Sequence, residues 1–164
     1  MILDHNKVYL LLGSNMGARL QLLQDAIENI AIEIGEVTEK SAVYETAPWG
    51  KTDQPGFLNV AVAVVTGLSA LEVLEKALQI EAKLGRVREE KWGARLIDID
   101  IIFYGNDIVN IPNQLHIPHP EMHNRKFVLE PLVEIASDLQ HPILHRSLNT
   151  LLSELKDELE VTKI

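Results

Sequence analysis

The sequence contains no cysteine, which excludes a disulfide framework, a thiol nucleophile and a thiolate metal site. It has no basic excess either. Its 24 Asp and Glu outnumber its 15 Lys and Arg, giving a formal net charge of −9, so a general basic surface for nucleic acid is not expected. No apolar run approaches the length needed to span a bilayer. The run "VYLLLG" is short and follows Asp4, His5, Asn6 and Lys7, so no signal peptide is expected, and the missing thiols suit a reducing cytoplasm. The segment "LLLGSNMG" fits neither G-x-x-x-x-G-K-[ST] nor G-x-G-x-x-G, which excludes two common phosphate loops. Gly13 reads as a backbone packing position, and Ser14 or Asn15 as turn or cap residues. There is no internal repeat, low-complexity tract or linker, and 164 residues fit a single domain over 1–164.

What is present alternates between strand and helix signals. Val8–Leu12 reads as a buried strand, and Leu20, Leu23, Ile27, Ile30 and Ile34 mark one face of a helix. Glu36–Tyr44 and Phe57–Val65 read as strands, separated by the turn-rich "APWGKTDQPG". Ser69 and Glu72 form a capping box for a second long helix, with Leu71, Leu74 and Leu78 inward, Glu81 at the next inward position and Gly85 closing it. Residues 96–103 make another strand, 106–115 an irregular or hairpin connection, and a last amphipathic helix is expected over Leu148–Leu159. The order predicts an α+β, ferredoxin-like βαββαβ core with a mostly antiparallel sheet and flanking helices.

The chemistry concentrates in "WGARLIDIDIIFYG". Side chains alternate along a strand, so Asp98 and Asp100 share one face, about 6–7 Å apart, while Ile97, Ile99 and Ile101 take the other. Two carboxylates so placed repel and need positive charge. One answer is salt bridging to nearby Arg or Lys. The other is a divalent cation, since magnesium takes one or two carboxylates plus phosphate oxygens and water. Arg86, Arg88, Lys91 and Arg95 cluster just before the aspartates. Guanidinium forks match phosphate oxygens, and carboxylates, metal and arginine together equip a chain for phosphoryl-type transfer.

Two further constellations stand out. In "IPHPEMHNRKF", His119 and Arg125 lie in a loop from which side chains reach a ligand, and Phe127 is either core or a stacking ring. In "YETAPWGKTDQPGFLN", Tyr44, Thr46, Trp49, Phe57 and Asn59 either pack in the core or form a slot for a flat heterocycle, read by the Asn59 amide and stacked by rings.

Taken together, "YLLLGSNMG", "SAVYETAPWG", "QPGFLNVAVAV", "GRVREEKWGARLIDIDIIFYG" and "IPHPEMHNRKFVLEPLVEIA" resemble the 6-hydroxymethyl-7,8-dihydropterin pyrophosphokinase family over nearly the whole chain. The resemblance implies transfer of the β,γ-diphosphate of ATP to the pterin hydroxymethyl oxygen, with release of AMP. It implies that Asp98 and Asp100 hold two magnesium ions and that Arg86 and Arg95 act catalytically on the phosphates. By the same match Glu81, Arg88, Ile101, His119 and Arg125 join them at ATP, the co-substrate. It assigns Thr46, Trp49, Phe57, Asn59 and Phe127 to the pterin. The loops around Trp49–Pro55 and Arg86–Trp92 close over the substrates in that family, and a cytoplasmic monomer is expected, with no nucleic-acid or membrane partner. Three positions depart from the family's common choices: Trp49 is usually aliphatic, and Glu89 and Gln114 stand where basic residues are frequent. A D-x-D transferase using a nucleotide sugar, and a non-catalytic nucleotide-binding module, are the rival readings.

Overall fold

The computed structural model describes residues 5–15, 17–46, 56–85, 96–156 and 160–164. Its centre is built from strands whose alternate side chains are buried on both faces. β1 (Asn6–Ser14) lies between β5 (Asp98–Tyr104) and β4 (Phe57–Thr66), pairing antiparallel with each. β2 (Glu36–Lys40) and β3 (Tyr44–Thr46) share the far edge of β4, and β8 (Val161–Lys163) adds outside β3. A separate hairpin, β6 (Val109–Ile111) and β7 (Leu115–Ile117), connects the sheet to the later helices. This is the ferredoxin-like α+β core that the order of elements predicts, with helices on both faces.

The two faces carry different covers. Val8, Leu10, Leu12, Val60, Val62, Ile97, Ile99 and Ile101 pack against α1 (Arg19–Glu33) and α2 (Ala70–Gly85). Tyr9, Leu11, Ala61, Ala63, Ile102 and Phe103 pack against α3 (Lys126–Ala136) and α4 (Leu148–Glu154). α2 starts as its sequence directs: the Ser69 hydroxyl accepts from the Glu72 N–H at 3.2 Å, and the Glu72 carboxylate accepts from the Ser69 N–H at 2.8 Å.

Four local expectations need correction. The inward face of α2 is Val73, Ala77 and Ile80, while Leu71 and Leu78 are exposed. A leucine zigzag and a β-branched–alanine zigzag coexist on that helix, and the smaller side chains let α2 sit close to the sheet. The expected strand over 36–44 is two strands, because Ser41 interrupts it. Its N–H donates to the Ala61 carbonyl at 2.9 Å, and its hydroxyl oxygen accepts from the Ala61 N–H at 2.9 Å, standing in for a ladder carbonyl. Neither Ser14 nor Asn15 caps α1, whose N-cap is Ala18. Ser14 belongs to β1, is fully buried and donates to the Leu96 carbonyl at 2.7 Å, which fixes the start of the Asp-bearing strand. Finally, α4 stops at Glu154 and the chain goes on to form β8, covering the edge of β3. Leu159, expected on that last helix, lies outside the described residues.

Glu134 fastens α3 to this edge. Its carboxylate accepts from the Tyr44 hydroxyl at 2.6 Å and from the Ala42 N–H at 3.0 Å, and Lys163 lies 3.8 Å away. Burial opposes its charge, but the Tyr44, Ala42 and Lys163 contacts outweigh it and hold its pKa below the ordinary 4.5. A carboxylate lowered on folding stabilises the native state above its unfolded pKa and loses that contribution as pH falls through the folded value. Glu134→Gln is therefore expected to lower Tm near neutrality and to flatten its dependence on pH below 4.5. Thermal unfolding from neutrality to about pH 3 checks this, and a deficit that stays constant across that range contradicts it.

Candidate active site

Register creates the site. Asp98 pairs with Gly13, Gly13 with Asn59, and Asn59 with Tyr44, so these four residues form one row across β5, β1, β4 and β3. Directly paired residues share a face, and this is the face that α3 and α4 cover elsewhere. The apolar cover ends at Leu11 and Ala61. Beyond them the row turns polar, with Asp98 half-buried, Asp100 exposed, and Gly13 between a carboxylate and an amide. Asp98 and Asn59 are two strand spacings apart, about 10 Å, and the residue between them in the row, Gly13, has no side chain. Phe57 and Thr46, paired with each other, extend the same face by one position.

Gly13 makes room for the Asn59 amide as it is placed here. A Cβ on it would lie 2.7 Å from Asn59 Nδ2, closer than side-chain packing permits. Asn59 is 4% exposed, and its Nδ2 donates to the Leu12 carbonyl at 3.4 Å, so its Oδ1 must face the open side. That Oδ1 is buried and has no hydrogen-bond partner among the described residues, and the same holds for Thr46 Oγ1. Buried polar atoms are nearly always paired, because an unmade bond costs the full desolvation of the group. Two such oxygens lie beside Gly13, which has no side chain, and a ligand's N–H groups are candidate partners for them. Phe57, 39% exposed, offers a ring beside them. Of the two readings of this segment, core packing describes Tyr44, whose hydroxyl is taken by Glu134, while the buried oxygens of Thr46 and Asn59 and the exposed ring of Phe57 keep the heterocycle slot a candidate.

The other candidate residues lie on and around β5. Among the described residues its outer edge has no neighbouring strand, and Glu81 Oε2, at the end of α2, accepts from the Ile99 N–H at 2.6 Å. The sequence places Glu81 inward on the leucine face; it flanks the Ala77–Ile80 stripe instead and reaches the strand edge. Ile101 is 5% exposed and packs in the α1–α2 core, so its main chain, not its side chain, is what it can show a ligand at that edge. His119 is half-buried after the cis Ile117–Pro118 bond, and its N–H donates to the Ile102 carbonyl at 3.1 Å. Burial chiefly lowers its pKa and the Arg125 charge adds to this, while the nearby Asp100 and Glu121 pull the other way. Its Nδ1 accepts from the Glu121 N–H at 3.2 Å, which leaves Nε2 as the donor of a neutral ring. Arg125 is exposed, with its guanidinium 5.8 Å from the centre of the Phe127 ring. Gln114 is exposed in the turn between β6 and β7.

Arg86, Arg88, Lys91, Arg95, Trp49 and Glu89 lie outside the described residues. Among the described residues no group of three or more His, Asp or Glu is placed to hold a metal ion. Asp98 and Asp100 are a pair of hard oxygen donors on one strand face. Their number suits a magnesium ion that shares its sphere with phosphate oxygens and water, so the donor set fits that ion arriving with a polyphosphate.

The family model for 7,8-dihydro-6-hydroxymethylpterin-pyrophosphokinase (HPPK) matches residues 9–137. The chain belongs to this family. It is 49% identical over 134 residues to the 2-amino-4-hydroxy-6-hydroxymethyldihydropteridine pyrophosphokinase of Methylorubrum extorquens, covering 81% of this chain and 84% of that protein. The enzyme of the same name from Bacillus subtilis is 42% identical over 140 residues, covering 83% and 81%. Larger relatives contain the family as a part. The Pneumocystis carinii folic acid synthesis protein fol1 is 41% identical over 94% of this chain, which spans only 21% of that protein. A Plasmodium falciparum HPPK-DHPS crystal structure superposes with a TM-score of 0.77 over 92% of this chain and 44% of its own; at 19% identity it carries the fold alone. No helix among the described residues is long and apolar enough to cross a membrane. The HPPK match spans all of the described candidate residues, from Thr46 to Phe127, and stops before α4 and β8.

Gly13 is the position whose importance sequence reading understates. It reads as backbone packing, and only its pairing with both Asp98 and Asn59 makes it the floor of the site. The one available signal was its place at the end of a long buried strand, where an aliphatic residue would otherwise continue the pattern.

Proposed function

We propose that this chain transfers the β,γ-diphosphate of ATP to the hydroxymethyl oxygen of 6-hydroxymethyl-7,8-dihydropterin and releases AMP. The observation that carries the reading is the row Asp98–Gly13–Asn59, in which a carboxylate and an amide oxygen with no hydrogen-bond partner among the described residues lie on one face, on either side of Gly13. Membership of the family supplies the class of reaction.

In this reading Asn59 and Thr46 accept from the pterin's N–H groups, while Phe57, Phe127 and Trp49 flank its ring. Glu81, His119, Arg125 and the main chain at Ile101 seat the nucleotide along the outer edge of β5. Arg86, Arg88 and Arg95 carry the charge of the phosphates. Asp98 and Asp100 hold magnesium, which when bound neutralises phosphate oxygens and lowers the pKa of the attacking hydroxyl. The hydroxymethyl oxygen attacks the β-phosphorus in line and gives up its proton to solvent, an O–P bond forms, and the bond from the β-phosphorus to the α,β-bridging oxygen breaks, that oxygen leaving with AMP. Positioning and fixed positive charge do most of the work. The chain acts as a cytoplasmic monomer on two small molecules.

The test uses the unmodified protein with ATP, magnesium and 6-hydroxymethyl-7,8-dihydropterin, and separates the nucleotides by chromatography. Pterin-dependent AMP in equal amount to a pterin diphosphate is the expected result. ADP would make it an ordinary kinase, and an absence of turnover by folded protein would overturn the proposal.

A further inference from the structure

Arg19 stands at the start of α1, outside every segment that suggested a ligand, yet it makes two long-range bonds with a single nitrogen. Its Nη1 donates to Glu45 Oε2 at 2.9 Å and to the Gly56 carbonyl at 2.7 Å. Glu45 directly precedes Thr46, and Gly56 directly precedes Phe57. Thr46 and Phe57 are themselves the last pair of the β3–β4 ladder.

Ladder ends fray, because the final pair has neighbours on one side only. Here the final pair carries part of the ring-binding face. Gly56 has no side chain with which to hold itself, and can have none: a Cβ there would lie 2.3 Å from the Thr46 carbonyl oxygen. The two main chains are therefore pressed together at this point, and the closing bond comes from Arg19. An exposed ion pair alone contributes little, and Glu45 is 41% exposed. The bond to the Gly56 carbonyl is what an ordinary surface pair lacks. It ties a main-chain atom of β4's approach to a side chain of β3 through a planar guanidinium with little freedom.

We infer that Arg19 is a positioning residue for the ring-binding face, clasping Glu45 and Gly56 so that Thr46 Oγ1 and the Phe57 ring hold their places. The inference rests on the proposed function, since it names the pterin as the ligand of that face. It separates the two substrates. Among the described residues Arg19's hydrogen bonds reach neither β5 nor the 119–125 loop, so loss of the clasp weakens the pterin and spares the nucleotide.

Calorimetric titration of a non-hydrolysable ATP analogue with magnesium, and then of the pterin, reads both affinities on one sample. Arg19→Ala is expected to raise the pterin Kd about tenfold, the loss that misplacing a hydrogen-bonding group typically brings, and to leave the analogue's Kd within twofold. Arg19→Lys, which keeps the charge but not the planar fork, should fall between that variant and the unmodified protein. If Arg19→Ala does not fold, Arg19→Lys carries the test, with a threefold loss for the pterin alone as the supporting result. Equal weakening of both ligands would make Arg19 a general structural residue and overturn the inference, as would unaltered pterin binding. If the unmodified protein itself bound no pterin, the proposed function would fail and take the clasp with it.

Discussion

Asp100→Ala is expected to reduce turnover on the order of a thousandfold, the scale seen when a group that stabilises transition-state charge is removed, while Tm stays unchanged or rises. The two halves of that expectation have different origins. Asp100 is exposed and shares a strand face with Asp98, so removing it relieves repulsion between two carboxylates and leaves no cavity. On the proposed function, a single remaining carboxylate would leave magnesium short of protein ligands. Asp98→Ala should lose as much activity. Asp98 is half-buried at the β5 end of the row, so its thermal unfolding must be measured beside its turnover. Full activity in both variants would reject the metal-ligand assignment. Loss of folding in both, with no separate effect on activity, would favour the salt-bridge reading of the pair. Titrating magnesium against Asp100→Asn adds an independent readout, because a weakened site demands more metal for half-maximal rate.

Gly13→Ala carries the second large effect, and it works by displacement. The added methyl would meet Asn59 Nδ2 at 2.7 Å, so the amide must move. It is 4% exposed and has little space to move into. Its bond to the Leu12 carbonyl is the first casualty, and that bond is what aims Oδ1 at the open side. The pterin KM should rise by at least about tenfold, the size of one lost hydrogen bond to a buried partner, with the ATP KM little affected. Overpacking should also cost about 1–3 kcal/mol of stability. Steady-state kinetics with each substrate varied in turn, together with thermal unfolding, separates the two costs. An unchanged pterin KM would show that Gly13 is packing and no more. The contrast with Asp100→Ala is informative: one variant loses rate at an intact fold, and the other loses one substrate at a weakened fold.

Local periodicity carried a large part of the fold. Alternation of aspartate and isoleucine in 97–101 placed the two carboxylates on one face, and the structure keeps them there, because side-chain direction in a strand depends only on position. The Ser69–Glu72 box was equally legible, since a helix start needs only residues three apart. Competition between two local patterns was harder. On α2 the leucines at 71 and 78 outscore Val73 and Ala77 in hydrophobicity, yet the sheet accepts the smaller side chains and leaves those two leucines exposed. The break at Ser41 and the late strand β8 depend on what β4 and β3 leave unpaired, which no local window contains.

By itself, then, the sequence determined which residues carry charge and which alternate with the core, and through five ordered segments it determined the family. Tertiary structure alone decided how those residues meet. Asp98, Gly13, Asn59 and Tyr44 come from four separate strands, and only the pairing register puts them in one row. The same register leaves Asn59 Oδ1 and Thr46 Oγ1 buried and without hydrogen-bond partners among the described residues, and lets Arg19 reach Gly56. The physical reason is one of range. A side chain's direction follows from its own backbone, whereas its neighbours follow from the burial and hydrogen bonding of every strand at once.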